Sequence, residues 1–596
     1  MTWPDPRIDF GRELYVPWQI LEGRHLYVAL AYHNGPLSPY LNSLWFFLFG
    51  TSLRTLVLCN YMILLATSWI VYRILKEISG RLGAIFASST FLLLFTFVNF
   101  TQTGNENWLT PYSHEITHGI SLSLLALFLF NLSIMKKMSK YYAGAAGFFL
   151  GLVFLTKCEV FAAAISAFLF EFILLFISKE HRKKSGGILL CFFSGFIAPP
   201  LVSYIFFLSI SSATEALQGV LGSWMYVFGQ NNLESPYFSR NMGFDKPLQN
   251  IIRLLEVALS YAAIFLCSIS IALISRKLTK FWHTTIAIIT FVLPVILLWF
   301  FRQNIPWDSI FYPLPLILAF GILITLFQTY SPKTKNTSLN NSHFLRTGLF
   351  VFAFILLLKI ILKTRIHYSG FGLAMPATLL LVVLLSEWLP AYVKKIGGSG
   401  RIFAALSTGI WTGIIICYLT FAHFIITSKT NIVGFGADSF FADARGIPIQ
   451  KALNGILEHV EPDKTLKVVP ATEILNYLSR RKNPLRYGNL NPHQVHIFGE
   501  HNILQDFKNN PPDYIVLADD HFKTFGHSYF GQSYAQSISL WISDNYKYVA
   551  WLAPAPPFAN ARTDILLFER TEPPSEDKIA KTLFTFEQFS QETKHD

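Results

Sequence analysis

The sequence predicts a polytopic α-helical membrane protein with a small extracytoplasmic α/β domain at its C-terminal end. Three observations predict this fold class. Of the 596 residues, 52% are hydrophobic and only 14% are charged, whereas soluble domains carry about 25% charged residues. Long apolar runs recur through the first 426 residues, and charged residues return after residue 430. In that last part, short strand-like and helix-like patterns replace the long runs.

The apolar runs are long enough to predict twelve membrane-spanning helices. We expect these spans at about 53–75, 81–100, 115–134, 141–157, 159–178, 186–210, 252–275, 281–300, 310–329, 345–362, 371–390 and 403–426.

Basic residues alternate between the predicted loops. The loops within 73–81, 136–140, 179–184, 276–280, 333–346 and 394–401 hold 19 Lys and Arg residues, whereas the alternate loops from 101–114 onward hold Arg240, Lys246, Arg302, Lys363 and Arg365. The positive-inside rule therefore places the first set in the cytoplasm and the C-terminal tail outside, in a multi-pass protein of the plasma (inner) membrane. The net charge of +12 is thus an orientation signal, and no nucleic-acid partner is expected.

Three regions follow from these patterns. Residues 1–52 mix acids, Gly-Pro turns and aromatic residues, which predicts an extracytoplasmic first loop with amphipathic helices along the membrane surface. Residues 53–426 form the predicted transmembrane domain, and residues 427–596 the predicted soluble domain. An outer N-terminus without a preceding span leads us to expect that a helix precedes this sequence.

The tail alternates between two kinds of segment. "LKVVP", "DYIVLAD", "YKYVAWL" and "DILLFER" are typical of strands, and "ATEILNYLSRR" and "SYAQSISLWISDNY" are typical of helices. The order predicts a small α/β domain of ordinary size.

One motif suggests a zinc protease. His114, Glu115 and His118 form the pattern His-Glu-x-x-His, in which two histidines one helical turn apart bind zinc and the glutamate activates a water. The motif lies at the outer start of a predicted span, and no later span supplies the Asp in an Asn-Pro or Leu-Asp-Gly context found in intramembrane zinc proteases. A structural role for His114 at the start of the helix is the simpler interpretation.

A transporter is the other alternative. Twelve spans suit one, but the sequence has no clear internal repeat and no Gly/Pro-broken span with a central charge. The acid-rich outer loops and the large tail favour an enzyme.

Acidic pairs occur in two predicted outer loops. Asp9 and Glu13 are four residues apart, so on a helix both carboxylates face the same way. Glu106 and Glu115 lie in the second outer loop. Carboxylates in such loops can accept a proton from a hydroxyl or hold a divalent metal, although a solvated acidic turn is the simpler interpretation of either pair alone.

Several stretches together resemble the GT-C membrane glycosyltransferases, which take sugars from polyprenyl-phosphate carriers and include the protein mannosyltransferase and aminoarabinose transferase branches. The first loop "DFGRELY … NGPLSPY" is similar to the first large loop of that group. "GFFLGLVFLTKCE" at 147–159 and "YSGFGLAMPATLL" at 368–380 resemble its membrane motifs, and "VVPATEILNYLSRRKNPLRYGNLNP … PPDYIVL" resembles its outer domain.

The resemblance implies roles for the acids. Asp9 matches the first-loop acid near the acceptor and would be the catalytic base. Glu13 would assist Asp9 or help to hold a metal, and the second acidic loop would contribute Glu106, His114 and Glu115. If a divalent metal is bound, its ligands would come from Asp9, Glu106, His114 and Glu115. Phe-Gly-Arg follows Asp9 here, in place of the Asp-Glu pair of the protein mannosyltransferase branch, so metal dependence stays open.

The resemblance also implies the partners. The donor would be a polyprenyl-phosphate-linked sugar, and the acceptor a glycan, a lipid or a protein at the outer face of a membrane whose lipids surround the enzyme. Four basic residues would bind the donor phosphate, namely Lys157, Arg302, Lys363 and Arg365. A lysine anchoring a helix end is nearly as good an interpretation of Lys157.

Overall fold

The helices of the first 426 residues follow the apolar runs of the sequence. The computed structural model describes residues 2, 5–6, 10–104, 107–110, 112–136, 138–228, 236–277, 280–330, 341–556, 563–572 and 577–585. The helices of this part are α1 (Phe10–Leu21), α2 (Leu37–Phe49), α3 (Leu53–Ile78), α4 (Arg81–Phe91), α5 (His114–Met135), α6 (Lys140–Phe154), α7 (Cys158–Ile177), α8 (Lys179–Leu208), α9 (Ala213–Phe228), α10 (Pro236–Met242), α11 (Pro247–Ile274), α12 (Lys280–Phe300), α13 (Leu314–Tyr330), α14 (Asn341–Leu357), α15 (Gly370–Leu373), α16 (Met375–Val383), α17 (Leu389–Lys395) and α18 (Gly400–Thr427).

Each of the twelve predicted spans falls on helical structure, but two of them are shorter than predicted. Within the described ranges, ten helical segments are long and apolar enough to cross a membrane. The other two are α4, which runs on as a π-turn to Thr96, and α6, which has 15 residues. At 1.5 Å per residue, neither reaches across a hydrocarbon core of about 30 Å. The fold class of a polytopic helical membrane protein is confirmed.

The tail contains the four strands that its sequence predicts. Strands β3 (Leu466–Val469), β4 (Tyr514–Leu517), β5 (Tyr546–Ala553) and β6 (Ile565–Arg570) form one sheet in the order β3-β4-β6-β5. The β3–β4 pair is parallel, and the other two pairs are antiparallel.

Helices cover this sheet, and a short hairpin precedes it. The tail helices are α19 (Gly446–His459), α20 (Ile474–Ser479), α21 (Pro492–Phe498), α22 (Glu500–Asn509), α23 (Gln536–Asn545) and α24 (Lys578–Thr585). The antiparallel hairpin consists of β1 (Asn431–Val433) and β2 (Phe440–Ala442). The predicted helices at "ATEILNYLSRR" and "SYAQSISLWISDNY" correspond to α20 and α23.

The first loop and the tail share a hydrophobic core. Leu14, Tyr15 and Trp18 of α1 pack in one buried cluster with Ile474 and Tyr477 of α20. Residues of α2 and α3 join the same cluster. The predicted division at residues 52 and 426 therefore separates segments that pack together in space, and as a division into domains it stays a prediction.

Candidate active site

Helix α1 is placed by a close backbone contact with the tail. A Cβ added at Gly11 would lie only 2.2 Å from the backbone nitrogen of Ile474, so glycine is required for this approach. The next two residues of α1 are Arg12 and Glu13. The contact with the tail therefore fixes the positions of Arg12 and Glu13, two charged side chains of the site described below.

A second glycine docks the first loop against the start of α7. A Cβ at Gly35 would lie 2.2 Å from the carbonyl oxygen of Leu155. The Gly35 N–H donates to the Thr156 carbonyl oxygen at 2.7 Å, and the Leu37 N–H donates to that of Leu155 at 3.0 Å. These bonds hold the loop that contains His33 and Asn34 beside Lys157.

A cavity opens where these elements meet. Its empty space, open solvent included, amounts to about 1180 Å³. Its walls include parts of the first loop, the starts of α5 and α7, helices α9 and α10, the turn after α14 and helix α21. Three basic side chains line it, Arg12, Lys157 and Lys359, together with the carboxylate of Glu159. We call it the cation cavity, because its basic groups outnumber its acidic one.

Glu159 joins the two lysines of the cation cavity. Its Oε1 accepts a hydrogen bond from Lys359 Nζ at 2.6 Å and lies 3.7 Å from Lys157 Nζ. All three side chains are partly exposed to the cavity, with 17–28% of each side chain accessible. Arg12 is paired with Glu13, but one carboxylate cannot neutralise two lysines. The cavity therefore keeps an excess of positive charge and favours an anionic ligand.

Two histidines complete the rim of the cation cavity. The rings of His33 and His493 meet edge to face with centroids 6.0 Å apart, and His33 Nδ1 lies 3.2 Å from Gln494 Nε2. Burial lowers the pKa of His493 to about 4, with the charge of Lys359 acting in the same direction. Burial also holds the pKa of His33 well below its usual value. Both rings are therefore neutral at pH 7, and the positive charge belongs to the arginine and the lysines.

Behind Arg12 lies a buried group of acids and a histidine, which we call the acid network and define as Glu13, His114 and Glu115. Arg12 Nη2 donates to Glu13 Oε1 at 2.9 Å and lies 3.9 Å from Glu115 Oε1. Tyr32 OH donates to Glu115 Oε1, and Asn34 Nδ2 donates to the same oxygen at 3.3 Å.

His114 is held between two asparagines. Asn60 Nδ2 donates to the Leu109 carbonyl oxygen at 3.0 Å and to His114 Nε2 at 2.9 Å, which leaves Nδ1 as the protonated nitrogen of a neutral ring. Nδ1 lies 2.6 Å from the Asn42 amide and 3.7 Å from Glu13 Oε2. As placed, Asn42 Nδ2 faces His114 Nδ1 and Asn42 Oδ1 has no partner among the described residues, so rotating the amide by a half-turn gives the ring N–H an acceptor.

The His-Glu-x-x-His motif does not form a zinc centre with the residues around it. The two rings stack with centroids 5.1 Å apart, His114 bonds the asparagines, and His118 Nδ1 lies 3.0 Å from Ser38 Oγ. In the described part of the chain, no group of three His, Cys, Asp or Glu side chains could hold a metal. The zinc-protease alternative thus finds no support in this geometry.

The structure brings some of the predicted residues together and leaves others apart. Glu13, His114 and Glu115 are buried behind the cavity wall, and Lys157 lines the cavity. Asp9 and Glu106 lie outside the described residues.

The other three predicted phosphate ligands do not line the cation cavity. Arg302 donates to the Trp299 carbonyl oxygen at 2.8 Å and lies over that indole ring. Arg365 donates to Asn241 Oδ1 at 3.1 Å, and Asn241 does line the cavity. Burial lowers the pKa of the nearby Lys363. Arg365 thus contacts a residue that lines the cavity, whereas Arg302 contacts Trp299.

The sequence interpretation missed several cavity residues. Lys359 interrupts the apolar run "FILLLKIIL", and a lone charge in such a run is itself a signal of function. Glu159 follows Lys157 by two residues and could have been included with it. Arg12, His33 and His493 carry no comparable signal, because only the packing of the first loop on the tail brings them to the cavity.

The cavity between the spans and the tail is lined by cations and suits an anionic ligand. Residues 33–204 match the family model described as dolichyl-phosphate-mannose-protein mannosyltransferase. This segment includes Lys157, Glu159 and most of the acid network. Over that segment the match supports the resemblance to GT-C membrane glycosyltransferases.

Several solved structures are similar to this chain. The AglB oligosaccharyltransferase of Archaeoglobus fulgidus, in complex with an inhibitory peptide and a dolichol-phosphate, is 14% identical over 97% of this chain and 74% of its own, with a TM-score of 0.48. ArnT of Cupriavidus metallidurans, bound to undecaprenyl phosphate, is 12% identical over 95% and 94%, with a TM-score of 0.36. These low scores add no argument about function. No curated protein matches the sequence.

Proposed function

We propose that this enzyme transfers a sugar from a polyprenyl-phosphate carrier to an acceptor at the outer face of the membrane. The observation that carries the proposal is the cation cavity, in which Lys157 and Lys359 flank the carboxylate of Glu159 and Arg12 lines the same space. The cavity lies where the spans meet the first loop and the tail. A lipid-linked phosphate can reach such a place while its chain stays among the spans.

In this proposal the lysines bind the donor phosphate. As the bond between the anomeric carbon and the phosphate oxygen breaks, negative charge grows on the phosphate, and fixed cations stabilise it. Glu159 holds Lys359 at 2.6 Å and so orients its ammonium group before the donor binds. Lys157 directly precedes α7, whose positive N-terminal dipole adds to the attraction for a phosphate.

The acceptor proton would go to a carboxylate of the first loop. The acceptor oxygen forms a bond with the anomeric carbon and loses its proton to that base. Asp9 is the proposed base, since it directly precedes α1 in the chain. Glu13 would assist it, while His114 and Glu115 hold Glu13 and Arg12 in position. Glu106 stays a proposed member of the second acidic loop.

The described residues do not form a metal site among themselves. A cation between Glu13 and Glu115 would need the position of the Arg12 guanidinium, which lies 2.9 Å from one carboxylate and 3.9 Å from the other. Asp9 and Glu106, the other acids predicted to hold a divalent metal, lie outside the described residues. Arg12 therefore supplies the positive charge between Glu13 and Glu115.

The chain is an integral, multi-pass membrane protein, and we place its tail on the extracytoplasmic side of the plasma (inner) membrane. The asymmetry of basic residues between alternate loops supports this orientation. A cysteine at the exposed Asn510 should react with a membrane-impermeant maleimide in intact cells, and one at the exposed Lys395 should react only after lysis. The opposite labelling pattern would contradict both the orientation and an outer-face reaction.

The donor site can be tested with lysine variants. Lys359→Met keeps the length of the side chain and removes its charge, so we expect the KM for a polyprenyl-phosphate sugar to rise at least about tenfold, equivalent to roughly 1.4 kcal/mol. Lys157→Met should act in the same direction. Lys246→Met, a basic residue just before α11 that does not line the cavity, is the matched control. An unchanged donor KM in both cavity variants would contradict the proposal.

A further inference from the structure

A second cavity lies between α1, the loop around residues 30–33 and the tail. Its empty space, open solvent included, is about 560 Å³. It shares Arg12, His33, Asn491 and Gln494 with the cation cavity, so these side chains line both cavities. We call it the amide cavity after four residues that line it, Asn483, Asn489, Asn491 and Gln494.

Two asparagines of the amide cavity keep hydrogen-bond donors for a ligand. Asn489 Oδ1 accepts from the Asn491 N–H at 2.8 Å, and Asn491 Oδ1 accepts from the Gln494 N–H at 2.9 Å. These bonds fix both side chains through their oxygens. Their Nδ2 groups make no hydrogen bond within the described part of the protein, and both residues are half-buried beside the cavity.

The walls of the amide cavity are cross-linked. Arg24 of the first loop donates to the carbonyl oxygens of Asn483 and Leu485 at 2.7 and 2.9 Å, and the Asn483 N–H donates to Tyr15 OH at 2.8 Å. Beneath the cavity, Lys467 donates to the carbonyl oxygens of the loop at residues 487–488. The donors are therefore held in place before a ligand arrives, which lowers the entropic cost of binding.

The chemistry of this lining suits a carbohydrate. Amides supply neutral donors and acceptors, which match hydroxyl groups, and Tyr15 and Tyr32 add aromatic surface. The lining residues belong to helices and loops, whereas an extended peptide would seek the edge of a sheet. We propose that the amide cavity binds the acceptor of the transfer reaction, and that this acceptor is a hydroxyl-rich carbohydrate. The identification as the acceptor site rests on the proposed function of the neighbouring cation cavity.

Binding of sugar probes to the full-length protein in nanodiscs tests this proposal without turnover. The probes are the methyl glycosides of maltose, cellobiose and lactose, measured by saturation-transfer NMR, with a peptide containing Ser and Thr for comparison. Asn489→Asp keeps the oxygen that accepts from Asn491, removes the free donor and adds a negative charge. Ala31→Phe fills the cavity from a residue that lines it and does not line the cation cavity. Asn509→Asp, exposed on α22, controls for the added charge.

We expect at least one glycoside to bind, with its Kd raised about tenfold by Asn489→Asp, the loss of one buried hydrogen bond. Ala31→Phe should abolish binding and Asn509→Asp should preserve it, with the melting temperature of every variant checked alongside. The proposal is overturned if no glycoside binds, if binding survives both cavity variants, or if the peptide binds and Ala31→Phe displaces it. Failure of the donor proposal is seen separately, as an unchanged donor KM in Lys359→Met.

Discussion

In the cation cavity the carboxylate of Glu159 faces two lysines, whereas in the acid network the carboxylate of Glu115 accepts from a phenol and an amide. Arg12 belongs to both regions: it lines the cavity and contacts Glu13. The two regions differ in the groups that compensate the negative charges of Glu159 and Glu115. Full ionic partners leave a net positive cavity that can receive a phosphate, while mainly neutral donors preserve a carboxylate that can act on a proton or hold another group in place.

The largest effect that would test this comparison concerns the acids of the first loop. Asp9→Asn keeps the shape of the side chain and removes its charge and basicity, so turnover should fall by roughly two to four powers of ten. Glu13→Gln should lose less, because its proposed role is to assist. Both are measured as transfer from a polyprenyl-phosphate sugar in liposomes, with donor binding expected to survive.

If Asp9 is only a turn residue, asparagine serves equally well there. A stable Asp9→Asn protein with the turnover of the wild type would remove Asp9 from the mechanism. Glu13, Glu106 and Glu115 would then be the remaining candidates for the base.

An intermediate effect compares the two glutamates directly. Glu159→Gln weakens the bond that orients Lys359, so the KM for the donor should rise by about three- to tenfold with a smaller change in kcat. Glu115→Gln keeps an oxygen for Tyr32 and Asn34 but removes the charge near Arg12, so kcat should fall by about tenfold with an unchanged donor KM. Identical kinetic changes in the two variants would mean that the two regions are not functionally distinct.

The smallest effect concerns the rim of the cation cavity. The folded-state pKa of His493 is about 4, below the usual value of about 6.5. Between these two pH values the His493 ring binds a proton in the unfolded chain but not in the folded protein. Stability should therefore fall as the pH drops from about 6.5 toward 4. His493→Gln should show a smaller loss of melting temperature between pH 7 and pH 5 than the wild type, and His459→Gln, exposed at the end of α19, is the control. An equal loss in both variants would mean that His493 does not cause it.

The sequence predicted the class of fold and several residues that the structure places in the candidate site. Apolar length located the spans, because burying a backbone in lipid requires helices of a minimum length. The spans at 81–100 and 141–157 were predicted too long. Apolar length does not mark where a helix ends, since apolar residues also continue into turns such as the one at residues 155–157. Lys157 and the acids near residues 9–13 and 114–115 stood out because charges are rare beside such runs.

By itself the sequence determined the apolar periodicity, the strands of the tail and the charges at the ends of the spans, because each depends on residues close together in the chain. Tertiary structure alone decided which charges meet. Gly11 brings α1 against Ile474, and Gly35 docks its loop on Leu155. Through these contacts Arg12 comes to lie in one cavity with Lys359. Contacts between segments hundreds of residues apart depend on backbone fit in three dimensions, which a local pattern of residues does not encode.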